Sequence, residues 1–190
     1  HQIVEASNYD DWGNAKNQTV KAYSDASTDV SKLLSIKNIE TTYLNALRGL
    51  AGTTDVITKD KDGVFAEHQM VAVASKDDYD DWGNAGKQTV MAYSGDTQEL
   101  SKLLSIKNIE TIYFDTLRGL ADTTEVTTTD KDGAFAEHQV VKASNYDDWG
   151  NMTSQTVKAY SDITTDQTKL LSVKDITTTY LESVKGLAGK

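Results

Sequence analysis

The chain contains no cysteine and no proline. Without cysteine there is no disulfide, thiolate nucleophile, zinc ribbon or iron–sulfur cluster. That fits a cytosolic protein or an extracellular bacterial one built without disulfides. No apolar run approaches the ~20 residues of a membrane-spanning helix, so membrane insertion is not expected. His1–Val4 does not open a secretory leader, and no signal peptide is expected there. Cations are scarce: 19 Lys plus Arg stand against 29 Asp plus Glu, for a formal charge of −10 over 190 residues. They are also scattered singly, whereas neutralising phosphates takes clusters, so nucleic acid is not expected as a partner. Nucleophile elbow, His-Glu-x-x-His, P-loop and dinucleotide fingerprint are all missing. Hydrophobic residues still make up 38% of the chain, more than a disordered segment carries.

What the chain has is repetition. Tyr-Asp-Asp-Trp-Gly-Asn occurs at Tyr9–Asn14, Tyr79–Asn84 and Tyr146–Asn151, at intervals of 70 and 67 residues. Each copy runs on to Thr-Val-x-Ala-Tyr-Ser, ending at Ser24, Ser94 and Ser161, then to Lys-Leu-Leu-Ser from Lys32, Lys102 and Lys169. Each closes on Gly-Leu-Ala, from Gly49, Gly119 and Gly186. Ser31–Thr41 and Ser101–Thr111 are identical, the mark of recent duplication. Two connectors share Asp-Lys-Asp-Gly at Asp60–Gly63 and Asp130–Gly133, and Phe-Ala-Glu-His-Gln at Phe65–Gln69 and Phe135–Gln139. The organisation read from this is a first repeat unit over 1–52, a connector plus second unit over 53–122, and a connector plus third unit over 123–190.

Apolar spacing points to helices. Ile36, Ile39, Tyr43, Leu47 and Leu50 recur at steps of three and four, and Val173, Ile176, Tyr180, Val184 and Leu187 repeat the stripe. A helix from Val30 to Arg48 would be about 28 Å long. Trp12, Ala15, Thr19 and Tyr23 suggest another helix in each unit. Phe65, His68, Ala72, Ser75, Tyr79 and Trp82 suggest a third, running from the connector into the second unit. The competing reading of the connector is a β-hairpin, with Thr54–Thr58 and Val64–Val71 flanking a Lys-Asp-Gly turn. The expected fold is mainly α: a tandem array of three small two- or three-helix units with short connectors, which a β-hairpin could form.

Two motifs carry candidate chemistry. Counting Thr58 as position 1, the connector places Asp60, Asp62 and Gly63 as an EF-hand loop does, but Thr58 and Gln69 stand where two of the main carboxylates belong, with Glu67 or Glu137 as substitute ligands. Asp60, Asp62, Glu67, Asp130, Asp132 and Glu137 are thus candidate calcium ligands, or else an acidic turn. No other cofactor is expected. Tyr-Asp-Asp-Trp-Gly-Asn sets aromatics beside acids, as a sugar-stacking platform would. The candidate ligand-binding residues are Tyr9, Asp11 and Trp12, Tyr79, Asp81 and Trp82, and Tyr146, Asp148 and Trp149; the alternative is aromatics packed in a core. His1, His68 and His138 fall at equivalent places, and a lone His makes a poor metal site.

Three near-copies offer no single cleft where unlike catalytic groups converge, so an enzyme is not expected. In composition the chain resembles repeated stalk or adhesive regions of bacterial surface proteins, being acidic, cysteine-free and duplicated. The expected function is a non-enzymatic structural or binding repeat region of a secreted or cell-surface protein, with a protein or glycan surface as partner. A calcium-rigidified repeat and a carbohydrate-binding module are the alternatives.

Overall fold

The segments between the glycine-containing turns are rich in Thr, Val, Ile and Tyr, whose branched or aromatic side chains favour extended backbone. The computed structural model of the protein, which describes residues 1–180, shows these segments as strands. They are β1 (Gln2–Tyr9), β2 (Ala15–Tyr23), β3 (Leu33–Asn45), β4 (Leu50–Asp60), β5 (Phe65–Ala72) and β6 (Lys87–Tyr93). They continue with β7 (Leu103–Asp115), β8 (Leu120–Asp130), β9 (Phe135–Tyr146), β10 (Met152–Tyr160) and β11 (Leu170–Thr177). Each strand is hydrogen-bonded to its neighbour in sequence, giving one open antiparallel sheet in the order β1 to β11.

This overturns the expected array of two- or three-helix units: among the described residues no α-helix and no helical bundle forms. The span read as a helix from Val30 to Arg48 is one 3-10 turn at Val30–Lys32 followed by β3. The Trp12–Tyr23 span is a turn and β2, and Phe65–Trp82 is β5, a 3-10 turn at Lys76–Asp78 and a further turn. The connectors are hairpins, β4 with β5 and β8 with β9. The stripe residues Val184 and Leu187 lie outside the described residues.

The reason lies in how the two faces are used. Ile36 stands opposite Lys21 and Lys59, whereas Ile39 stands opposite Gln18 and Val56. Residues an odd number apart on a strand point to opposite faces, so these two isoleucines lie on different sides of the sheet. A sheet with apolar side chains on both faces shows no clean alternation, and steps of three and four then mimic a helical stripe.

Two units divide the chain, residues 1–78 with 88–106 and residues 79–87 with the chain from 107 onward. In the first, Leu33, Leu50, Val73, Tyr93, Leu103 and His68 are buried. In the second, Ala85, Leu120, Tyr160 and His138 are. Equivalent tyrosines pin equivalent strands: the Tyr43 hydroxyl donates to the Ala15 carbonyl at 2.9 Å in the first unit. In the second, Tyr113 donates to the Ala85 carbonyl and Tyr180 to the Met152 carbonyl, each at 3.1 Å. Register repeats as well, with Val20 opposite Lys37 and Val157 opposite Lys174.

Candidate functional site

The two motifs singled out in the sequence fold into one and the same turn. In the first, the Asp10 amide donates to the Asn14 carbonyl, the Gly13 amide to the Asp10 carbonyl, and Gly13 takes a φ of 85°. In the second, the Asp60 amide donates to the Val64 carbonyl, the Gly63 amide to the Asp60 carbonyl, and Gly63 takes a φ of 80°. In both, the aspartate side chain closes the turn. Asp10 Oδ1 accepts the amides of Trp12 and Asn14, each at 2.9 Å, and Asp60 Oδ1 accepts those of Asp62 and Val64, also at 2.9 Å. Asp80, Asp130 and Asp147 repeat this arrangement. The shared pattern is Asp-x-x-Gly, an Asx turn with glycine at the left-handed position.

The contacts of the candidate calcium ligands are those of such a hairpin. Asp60 and Asp130 are the turn aspartates; Asp62 and Asp132 pair with the adjacent Lys61 and Lys131 at 2.7 and 2.6 Å. Glu67 and Glu137 lie on β5 and β9, accepting from Gln69 and Gln139. Among the described residues no three His, Cys, Asp or Glu side chains gather as a metal site would need.

The tryptophan turns carry an additional tie. The Asn14 side-chain amide donates to Asp10 Oδ2 at 2.8 Å and to the Ala46 carbonyl at 2.6 Å, joining the β1–β2 turn to the β3–β4 turn. In the second unit Asn84 does the same with Asp80 Oδ2 at 2.7 Å and the Thr116 carbonyl at 2.6 Å. Asn151 binds Asp147 Oδ2 at 2.9 Å. These aspartates and asparagines were not among the sequence-derived candidates, although Asp-x-x-Gly in both motifs was the signal for them.

Held this way, the indoles are not core residues. Trp12, Trp82 and Trp149 are 62%, 63% and 64% exposed. Asp11, Asp81 and Asp148 precede them at the tips. Tyr9, Tyr79 and Tyr146 sit at the turn bases, opposite Ala15, Ala85 and Met152. In the second unit the Arg118 guanidinium donates to the Asp148 carbonyl at 3.1 Å. A hollow of about 410 Å³ opens there, lined by Phe114, Arg118, Asp122, Tyr146 and Asp148 among others. The Phe114 and Tyr146 rings lie 5.6 Å apart beside it.

Aspartates of the tryptophan turns are stronger acids than usual. The Asn14 side-chain amide holds the Asp10 carboxyl below its ordinary value, backbone amides of Asn14 and Trp12 add to that, and partial burial opposes it. Asn151 acts likewise on Asp147. A carboxyl lowered in the folded state contributes stability above its unfolded pKa, lost as pH falls through the folded value. Indole fluorescence anisotropy should therefore stay flat from neutral pH to about pH 4 and fall only below it. A transition near neutrality would assign the turns' rigidity to other groups.

No protein-family model, curated protein or solved structure matches the chain. The three copies therefore serve as one another's comparison. What they keep alike is a solvent-facing Asp-Trp pair on a turn fixed by an Asp–Asn clamp.

Proposed function

We propose that this chain is a non-enzymatic binding repeat region of a secreted or cell-surface protein, with carbohydrate as the ligand of its tryptophan turns. The observation that carries the reading is the presentation of Trp12, Trp82 and Trp149, each more than half exposed on the same clamped turn. A tryptophan kept for stability buries its ring, whereas an exposed, pre-ordered ring offers a flat apolar face at little entropic cost. Aspartates beside the rings supply acceptors for hydroxyl groups. The hollow at Phe114, Tyr146, Arg118 and Asp148 adds two further rings and a cation to the third turn. Its volume lies in the range of small-molecule sites.

Repetition supports avidity. The Trp82 and Trp149 turns are four strand positions apart, roughly 19 Å at ordinary strand spacing. An extended glycan could engage both, and linked weak sites bind far more tightly than single ones. A glycan array probed with the whole chain tests this. Each of Trp12→Ala, Trp82→Ala and Trp149→Ala is expected to weaken binding about tenfold, and the triple variant to abolish it. Melting should hardly change, because exposed side chains contribute within about 0.5 kcal/mol. Absence of binding by the parent chain to any glycan would end the carbohydrate reading.

A further inference from the structure

One pair of positions on adjacent strands changes its chemistry from copy to copy. In the first copy it holds Glu5 and Lys21, which pair at 3.2 Å. In the second it holds Ala72 and Met91, and in the third Lys142 and Lys158. The registers establish the equivalence. Glu5, Ala72 and Lys142 stand opposite Thr19, Thr89 and Thr156, while Lys21, Met91 and Lys158 stand opposite Ile3, Met70 and Val140. Lys142 and Lys158 are thus diagonal neighbours on one face, roughly 7–8 Å apart. Like charges so placed repel. Among the described residues neither ammonium is paired with a carboxylate.

The third copy also opens a hollow at this place. It has a volume of about 440 Å³ and is lined by Glu125, Lys142, Thr156, Lys158, Thr165 and Gln167 among others, all within the second unit. Glu125 stands opposite Val140 in the same row as Lys158, so the acid and both cations share the face. Glu125 takes the place of Asp55, whose carboxylate is committed to His68 at 2.6 Å. His138 makes no such bond: its Nδ1 lies 3.0 Å from the Thr127 hydroxyl, and among the described residues its Nε2 has no partner. The Glu125 side chain is exposed and not held by the histidine. Asp175 on β11 accepts from the Thr156 hydroxyl at 2.6 Å. The lining therefore carries two cations and one acid, a net charge of +1 in a chain of formal charge −10.

We propose that this hollow is a second binding site, for a sugar acid: a hexuronate unit whose carboxylate lies between Lys142 and Lys158 and whose hydroxyls donate to Glu125. The proposal rests on the carbohydrate reading for the class of its ligand, but its place is a face of the sheet and not a tryptophan turn. Two ammoniums on one carboxylate form charge-assisted bonds, stronger than neutral ones. Glu125 accepts hydroxyl hydrogens and repels a second negative charge, which selects a sugar monoanion over a phosphate dianion. Thr165 and Gln167, between β10 and β11, add donors and acceptors for the remaining hydroxyls. The volume lies in the range of small-molecule sites.

The test is amide NMR of the whole chain titrated with sodium glucuronate. Shifts are expected at Lys142, Thr156, Lys158 and Thr165, saturating in the millimolar range. Glucose, acetate and inorganic phosphate are each expected to bind about tenfold more weakly or not at all. Lys142→Ala and Lys158→Met should each weaken glucuronate about tenfold. Neither should lower the melt, because the second copy already carries Ala72 and Met91 at these positions. No saturation by about 100 mM glucuronate, equal binding of glucose, acetate or phosphate, or unchanged binding by both lysine variants overturns the proposal. So does loss of the shifts in the triple Trp12→Ala, Trp82→Ala, Trp149→Ala variant, which would place the sugar at the turns. The same variant separates the two readings. Glucuronate binding that survives it supports this site independently of the tryptophans, whereas a chain that binds neutral glycans alone keeps the turns and loses this site.

Discussion

Replacing His68 by alanine is expected to destabilise the first unit by about 3 kcal/mol. The ring is 1% exposed and stacks on Tyr93 with centroids 4.8 Å apart. Its Nε2 donates to Asp55 Oδ1 at 2.6 Å and its Nδ1 lies 2.8 Å from the Gly95 carbonyl. Truncation leaves a carboxylate and a carbonyl without their ring partner and opens a void beneath Tyr93. The other two histidines provide the scale. His138 Nδ1 bonds the Thr127 hydroxyl at 3.0 Å, but among the described residues its buried Nε2 has no partner. His138→Ala should therefore cost less, about 1–2 kcal/mol, and the exposed His1 close to nothing. Denaturant melts of the three variants check the order. Equal losses at His68 and His138 would show that packing against the tyrosine, and not the bonds to Asp55 and Gly95, carries the effect.

The second large effect is expected at Gly119. Its φ is 67°, a conformation that costs an L-residue roughly 1–2 kcal/mol. A Cβ there would stand 2.9 Å from Asn84 Oδ1. Asn84 cannot move aside freely, because its amide clamps Asp80 and the Thr116 carbonyl. Gly119→Ala thus adds the loss of the clamp to the backbone strain, about 3 kcal/mol in all. Gly133, with a φ of 80° and, among the described residues, nothing within 4 Å of its would-be Cβ, isolates the backbone part. Gly133→Ala should cost about 1 kcal/mol. If the two alanines cost the same, the Asn84 clamp contributes nothing to stability.

These positions also show what could be read before the fold was known. The repeats, the glycine punctuation and the Asp-Gly turns were plain in the sequence. The strands were not, because β3 sends Ile36 to one face and Ile39 to the other, so neither face reads as a clean alternation. The Thr-Thr-Tyr run at Thr41–Tyr43 was the better signal, since branched and aromatic residues in sequence favour extended chain. The aromatic motif is plain in the sequence, but its spacing equally suits a core role that the 62–64% exposure of its tryptophans contradicts. The clamp residues Asp10, Asn14, Asp80, Asn84, Asp147 and Asn151 are not fully legible from spacing, because their work is done on backbone amides and, for Asn14 and Asn84, on a turn about 30 residues away. The first part of that was legible as Asp-x-x-Gly; the second depends on which turns the sheet brings side by side, and spacing alone does not give that.

The unbroken order of the strands bears on how the chain reaches this state. Among the described strands every partner is the next one along, so no segment waits for a distant one to arrive. β1 and β2 can close within the first 23 residues, and each later hairpin adds to an edge that already exists. Closing short loops costs little entropy, and sheets dominated by such local pairing avoid the slow search that delays β-proteins with long-range pairing. During synthesis from the N-terminus, ordering can therefore advance strand by strand behind the emerging chain.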